Sequence, residues 1–250
     1  TPSAPVEVGF VDTPGRALSG VAVAGGYAYV GDGSGGLRVI DVSRMVEVSF
    51  LESPGAADAI AVEGGHAYVG FHDASDAPGT LQTGVRVYDV TDPSAPLEIG
   101  FVDTPGEATD IATSGGHAYV ADSSGGFRVI DVSTPSAPVE LGSVETPGPA
   151  RGVAIARGHA YVAASGSGLR IIDVSAPSAP VEVGFLDTVG AAWEVEVQGG
   201  HAYVANYGGG LQVIDISAPS EPVEVGFINP PGSEQDVAVS GRYAYLASGV

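Results

Sequence analysis

An all-β fold assembled from repeats of about 42 residues is what the sequence predicts, on three observations. The tetrapeptide [His/Tyr]-Ala-Tyr-[Val/Leu] occurs six times, beginning at Tyr27, His66, His117, His159, His201 and Tyr243. A segment close to Leu-Arg-Val-Ile-Asp-Val-Ser begins at Leu37, Val85, Phe127, Leu169 and Leu211. A third segment, ideally Pro-Val-Glu-Val-Gly-Phe, begins at Pro5, Met45, Pro96, Pro138, Pro180 and Pro222, and its last four copies stand 42 residues apart.

Each repeat therefore reads as four short apolar strands: a, of Gly-Val-Ala-Val type; b, the His-Ala-Tyr-Val segment; c, Leu-Arg-Val-Ile-Asp-Val; and d, Pro-Val-Glu-Val-Gly-Phe. Pairs such as Gly25-Gly26 and Gly115-Gly116 separate a from b, which is hairpin punctuation. Gly and Ser clusters such as Ser123 to Gly126 separate b from c, and Ser133 to Pro138 separates c from d with prolines that end strands. No window carries apolar residues at helical spacing over three turns. Four strands in about 40 residues is the length of a propeller blade, whereas a β-helix coil is shorter and a sandwich does not repeat so regularly. The expected architecture is a six-bladed β-propeller of four-stranded blades, one domain from Thr1 to Val250. Strands b and c are apolar on both faces, as blades packed between two neighbours require.

The segments Leu37-Arg-Val-Ile-Asp41, Phe127-Arg-Val-Ile-Asp131, Leu169-Arg-Ile-Ile-Asp173 and Leu211-Gln-Val-Ile-Asp215, each following an Ala-Tyr-Val, carry a family resemblance. They resemble the LVIVD repeat of bacterial and archaeal surface-associated propellers, over almost the whole chain. The resemblance implies an extracellular or cell-surface setting and brings no catalytic residues with it.

Composition narrows the function classes. The chain has 250 residues, 44% of them hydrophobic, enough for a large core without disulfides or metals. Thirty acidic residues face nine basic ones, all arginine, and the formal net charge is -21. Nucleic acid is excluded as a partner, because sequence-independent affinity for it comes from Lys and Arg displacing counterions. Anionic membrane surfaces are disfavoured likewise, and no stretch approaches the length needed to insert into a bilayer. With no Cys there is no thiol nucleophile and no Cys-based zinc site. The chain opens at Thr1 on a c–d loop and stops at Val250 where a sixth strand c would start. This predicts that the natural polypeptide is longer, and that strand d from Pro5 to Val11 shares a blade with strands a and b from Asp236 to Leu246.

Residues that recur in every repeat read as structural. The four histidines of strand b belong to separate blades, and Tyr replaces them twice. Asp41, Asp89, Asp131, Asp173 and Asp215 stand before a turn and are suited to accept its backbone N–H groups. Arg128 and Glu140 are expected opposite each other on strands c and d, an exposed cross-strand pair worth roughly 0.2–1 kcal/mol.

Function is expected where the repeats differ, which is at the end carrying the d–a and b–c loops. Arg16, Asp58, Glu107, Arg151, Trp193 and Gln235 vary in or just after the d–a loops. Blade two has a longer b–c loop, read as running through Phe71, His72, Asp73, Asp76 and Gln82. Trp193, Arg151, His72, Asp73 and Gln235 are the candidate ligand-binding residues, with a glycan or a protein as the ligand. Asp110, Glu194 and Asp236 occupy one position before strand a and are the candidate metal ligands, with Ca²⁺ the cation such carboxylates would take. The predicted function is a non-catalytic recognition or scaffolding propeller. A metal-dependent hydrolase or lyase using those carboxylates, and a purely structural repeat, are the alternatives. No nucleophile elbow, P-loop, His-Glu-x-x-His or dinucleotide fingerprint is present, and no cofactor is implied.

Overall fold

The computed structural model describes residues 6–15, 20–53, 55–72 and 83–249. Among them there is no helix, and five four-stranded antiparallel sheets are joined by one sheet of two strands. Blade one holds β1 (Gly20–Ala24), β2 (Tyr27–Gly31), β3 (Leu37–Asp41) and β4 (Val46–Leu51). Blade two holds β5 (Ala56–Glu63), β6 (His66–His72), β7 (Gly84–Asp89) and β8 (Leu97–Asp103). Blade three holds β9 (Asp110–Ser114), β10 (His117–Ala121), β11 (Phe127–Asp131) and β12 (Val139–Val144). Blade four holds β13 (Gly152–Ala156), β14 (His159–Ala163), β15 (Leu169–Asp173) and β16 (Val181–Leu186). Blade five holds β17 (Ala191–Gln198), β18 (His201–Tyr207), β19 (Gly210–Asp215) and β20 (Val223–Ile228), and the sixth sheet holds β21 (Ser233–Ser240) and β22 (Tyr243–Gly249). Every complete blade is a meander in chain order a, b, c, d, the six-bladed propeller-like repeat that the sequence predicts.

Two compact units divide the chain: residues 1–111 with 134–138, and residues 112–133 with 139–250. The core of the first includes Tyr29, Leu37, Val39, Val69 and Tyr88. In the second, Tyr119, Phe127, Val129, Val153 and Val162 form one core cluster, and Tyr161, Leu169, Ile171, Val195 and Ile214 another. Strand b tyrosines supply much of this: Tyr29, Tyr68, Tyr119 and Tyr161 are all buried. Each large apolar side chain so buried contributes about 1.5–3 kcal/mol.

Two kinds of contact join successive blades. At the loop end, the b–c turn of one blade bridges to the start of strand a in the next, through Gly33↔Ala57, Ser123↔Ala150 and Ser165↔Ala192. At the other end, the strand d glycine lies against the next blade's c–d turn, where a side chain on Gly142 would run into Pro177 and Pro180. Ser49 stands at that position in blade one and its hydroxyl donates to the Pro93 carbonyl at 2.5 Å.

The c–d turns follow the aspartate logic. Asp41 accepts from the N–H groups of Ser43 and Arg44 at 2.9 and 3.0 Å, and Asp89, Asp131, Asp173 and Asp215 do the same for Thr91, Ser133, Ser175 and Ser217. The strand b histidines are equally local: His117 and His159 place Nδ1 3.1 Å from the Gly115 and Arg157 carbonyls.

Two expectations change. Arg128 stands opposite Ser143, because a bulge between Val129 and Ile130 shifts the register and puts Glu140 opposite Ile130. The ion pair forms on the diagonal at 3.2 Å, and neither it nor its counterparts is a surface decoration. Arg38, Arg86 and Arg170 are 8% exposed, and the guanidinium carbons of Arg38 and Arg170 lie 4.7 and 4.8 Å over the Phe50 and Phe185 rings. The glutamate partners stay 29–40% exposed, so removing one costs about 1 kcal/mol, the upper figure for an exposed pair.

The second change concerns the sixth blade. Val6 to Val11 forms no strand, and Val6, Val8 and Phe10 are 80%, 92% and 70% exposed. Pro5 lies outside the described residues. In every complete blade strand d is an edge strand paired in its sheet with strand c alone, and no c-type strand borders either this segment or β22 among the described residues. Thr13 and Gly15, by contrast, are fixed to blade one by 2.6 and 2.9 Å hydrogen bonds to the buried Asp32 carboxylate.

Candidate functional site

The start of strand a is where the blades diverge, and a backbone irregularity explains how. β5, β17 and β21 each carry a bulge, between Ala57 and Ala59, Ala192 and Glu194, and Glu234 and Asp236. The residues thrown out of register are Asp58, Trp193 and Gln235, three of the positions singled out by sequence variation. A bulge re-aims its side chain without disturbing the strand beyond it, so this point can vary while the blade stays constant.

In blade five the bulge builds an aromatic cluster. The Trp193 and Tyr207 rings lie 5.5 Å apart with a 36° tilt, and the Arg151 guanidinium carbon stands 5.0 Å from the Trp193 ring. Trp193 and Arg151 are partly exposed and Tyr207 is 46% exposed. Arg151 comes from the start of blade four, Trp193 from the bulge of β17, and Tyr207 from the end of β18, just before the b–c turn of blade five. Tyr207 went unnoticed in the sequence, although Gly and Ser occupy most of the equivalent turn positions in blades one, three and four. Gln235 is exposed on β21.

In blade two the bulge residue Asp58 places its Oδ2 2.7 Å from His72 Nδ1. Burial pushes the Asp58 carboxyl above its ordinary range, His72 opposes this, and nearby Glu107 adds to it. Asp58 Oδ1 is buried and finds no partner among the described residues. His72 is the last residue of β6, and Phe71 is a core residue 1% exposed, so the long loop begins later than the sequence suggested. Phe71 was expected in that loop because the repeats diverge there, but β6 continues for two residues beyond the shorter strand b of blade one, and its ring packs 5.4 Å from Phe101. Asp73, Asp76, Gln82 and Arg16 lie outside the described residues.

The three candidate metal ligands are engaged with their own strands or exposed. Asp110 accepts from the Ile111 N–H at 2.8 Å and Glu194 from the Val195 N–H at 3.0 Å. Asp236 is exposed on β21, and together with burial, the larger effect, it pushes the Glu196 carboxyl above its usual range. Among the described residues no three His, Cys, Asp or Glu side chains come together to hold a metal ion.

Sequence reasoning also passed over a buried polar network in blade five. Gln212, fully buried where other blades have Arg, accepts from the Val189 N–H and from Asn206 Nδ2 at 2.9 and 3.1 Å, and donates to Glu224 at 2.5 Å. Glu234, also fully buried, accepts from the Gly210 N–H at 3.1 Å. It replaces the Ala57 and Ala192 of the other bulges, a signal visible once those bulges are aligned.

The class is that of a propeller-type repeat protein with a constant scaffold and a variable loop end. A model of the LVIVD repeat matches residues 14–50, 54–75, 105–146, 147–188, 189–229 and 231–249. The chain belongs to the LVIVD-repeat family. No curated protein matches the chain. Among solved structures it is similar to the crystal structure of the computationally designed Ika8 protein, with a TM-score of 0.68 and 13% identity over 91% of this chain and 67% of that one. At that identity the likeness speaks for the fold.

Proposed function

We propose that this chain is a non-catalytic recognition module of an extracellular or cell-surface protein, which holds a glycan or protein ligand at its loop end. The observation that carries the reading is the Trp193, Tyr207 and Arg151 cluster, three residues at the variable end of an otherwise constant scaffold. A partly exposed indole beside a phenol offers flat apolar area at low conformational cost, which suits stacking on a sugar face or anchoring a partner side chain. The five turn aspartates and the strand b histidines are absorbed by local hydrogen bonds and by the blade's own architecture. The test is a glycan array, with wild type and the Trp193→Ala and Tyr207→Ala variants compared. Binding that weakens by roughly ten-fold or more in both variants, with the fold intact, supports the reading. Signals that persist unchanged in both variants contradict it.

A further inference from the structure

A surface that the chain builds again and again is left uncovered on its first and last sheets. Strand a of a blade packs on strands a and b of the blade before it: β5 on β1 and β2, β17 on β13 and β14, β21 on β17 and β18. Its anchor on that side, in blades two to six, is Ile60, Ile111, Val153, Val195 and Val237, each 8% exposed or less. The apolar residue after the strand c aspartate joins the same core clusters, and Val90, Val132, Val174 and Ile216 are likewise buried. Blade one has Val21 and Val42 at these two places, and they are 65% and 42% exposed. Val23, on the same side of β1 as Val21, is 68% exposed.

The other face of a blade, which receives the next strand a, is set by the strand b tyrosine and the small residue two positions on. Tyr29, Tyr68, Tyr119 and Tyr161 are buried, and so are Gly31, Gly70, Ala121 and Ala163. Tyr29 shares a core cluster with Ala57 and Ile60 of the next blade, Tyr119 with Ala150 and Val153, and Tyr161 with Ala192 and Val195. In the sixth sheet the same pair is Tyr245 and Ala247, and both are exposed. Ala238, opposite Tyr245 in the register of β21 and β22, is exposed as well. This sheet holds strands a and b, the two on which a following strand a packs.

From these two complementary faces, we infer that copies of the chain associate head to tail, the β21–β22 face of one copy receiving strand a of blade one of a second copy. The contact continues an interface that the chain already makes between its own blades, so the occupant is specified: a blade of this same repeat. Val21 and Val23 meet the Tyr245 ring over the small Ala238 and Ala247 side chains, the pairing that Val153 makes with Tyr119 and Ala121 inside one core cluster. Apolar surface left open in this way favours association. Because the two faces differ, the contact is heterologous, and each copy keeps one face free to bind the next. It is separate from the Trp193 cluster, and its test leaves that reading untouched.

The experiment is sedimentation equilibrium of the whole chain as wild type, as Val21→Asp, as Tyr245→Glu, and as an equimolar mixture of the two variants. Both positions are exposed in the single chain, so both variants should keep the wild-type circular dichroism spectrum and melting temperature. Wild type is expected to show a mass that rises with concentration above that of one chain. Each variant buries an unpaired carboxylate in the contact and should need about a hundred-fold higher concentration to associate. The mixture is the sharper arm. Val21→Asp keeps an intact β21–β22 face and Tyr245→Glu keeps an intact blade one face, so mixing them should restore a complex of two chains that grows no further. Wild type that stays a single chain up to about 1 mM overturns the assignment. Association of either variant at the wild-type concentration, or a mixture that remains single chains, overturns it as well.

Discussion

The five aspartates that end strand c show how one residue type fixes a turn. Their carboxyls are all held below the ordinary value of 3.8. For Asp41, Asp89 and Asp131 the leading cause is the Ser or Thr hydroxyl two residues on, and for Asp173 and Asp215 it is the backbone N–H of that residue. A depressed folded-state pKa means stability that is present above 3.8 and lost as pH falls through the folded value. Thermal melts from neutral pH down to about pH 2 should therefore show stability falling in that acid window. Asp131→Asn should lower stability at neutral pH and make the acid fall shallower, and an unchanged slope would count against the turn assignment. Arg157 makes a different point. It adopts φ 51° in the a–b turn of blade four, where Gly25, Gly64, Gly115 and Gly199 adopt 59 to 62° in the others. A left-handed Arg carries a steric cost that Gly escapes, so Arg157→Gly should stabilise by about 0.5–1 kcal/mol net of chain entropy. A urea midpoint that moves down instead would show that the Arg side chain contributes something the turn geometry does not reveal.

At the level of the strand and turn, the repeat makes most of the fold legible. Strands a to d could be placed from alternation and turn chemistry because the same solution recurs, and one unclear copy is read from the others. Features peculiar to single blades were not legible. The bulges at Asp58, Trp193 and Gln235 add one residue each, which sequence alignment absorbs as loop variation. Arg38 and Arg170 look like surface residues by type, yet they stack on Phe50 and Phe185, strand d residues that the register shifts before Ile40 and Ile172 place opposite them. Gln212 could be seen as a departure from Arg, but its partners Val189 and Asn206 come from the d–a loop and from β18, which only the folded chain brings together. The candidate cluster was half legible: uniqueness marked Trp193, whereas Tyr207 required the turn to be seen beside it. Contacts between successive blades are sharper to test. Gly142→Ala places a methyl group against the Pro177 carbonyl and the Pro180 ring and should cost about 1–3 kcal/mol. Gly226→Ala, where the added carbon meets only Val213 atoms beyond 3.4 Å, should cost much less. Equal denaturant midpoints for the two variants would argue against close packing of strand d on the next c–d turn.

The molecule as a whole separates a scaffold that repeats from a loop end that does not. Repetition makes recurring residues interchangeable between blades, so moving one blade's residue into another's position should be tolerated wherever the role is structural. His159→Tyr installs what blades one and six carry at that position, Tyr27 and Tyr243. Trp193→Thr installs what blade three carries, Thr109, and removes the aromatic partner 5.5 Å from Tyr207. The most direct measurement is therefore ligand binding on a glycan array by these two variants beside wild type, with melting temperatures recorded on the same samples. Both variants should melt close to wild type, with His159→Tyr keeping the wild-type binding profile and Trp193→Thr losing it. Loss of binding in His159→Tyr, or its retention in Trp193→Thr, would contradict the division of labour between repeated scaffold and variable loop end.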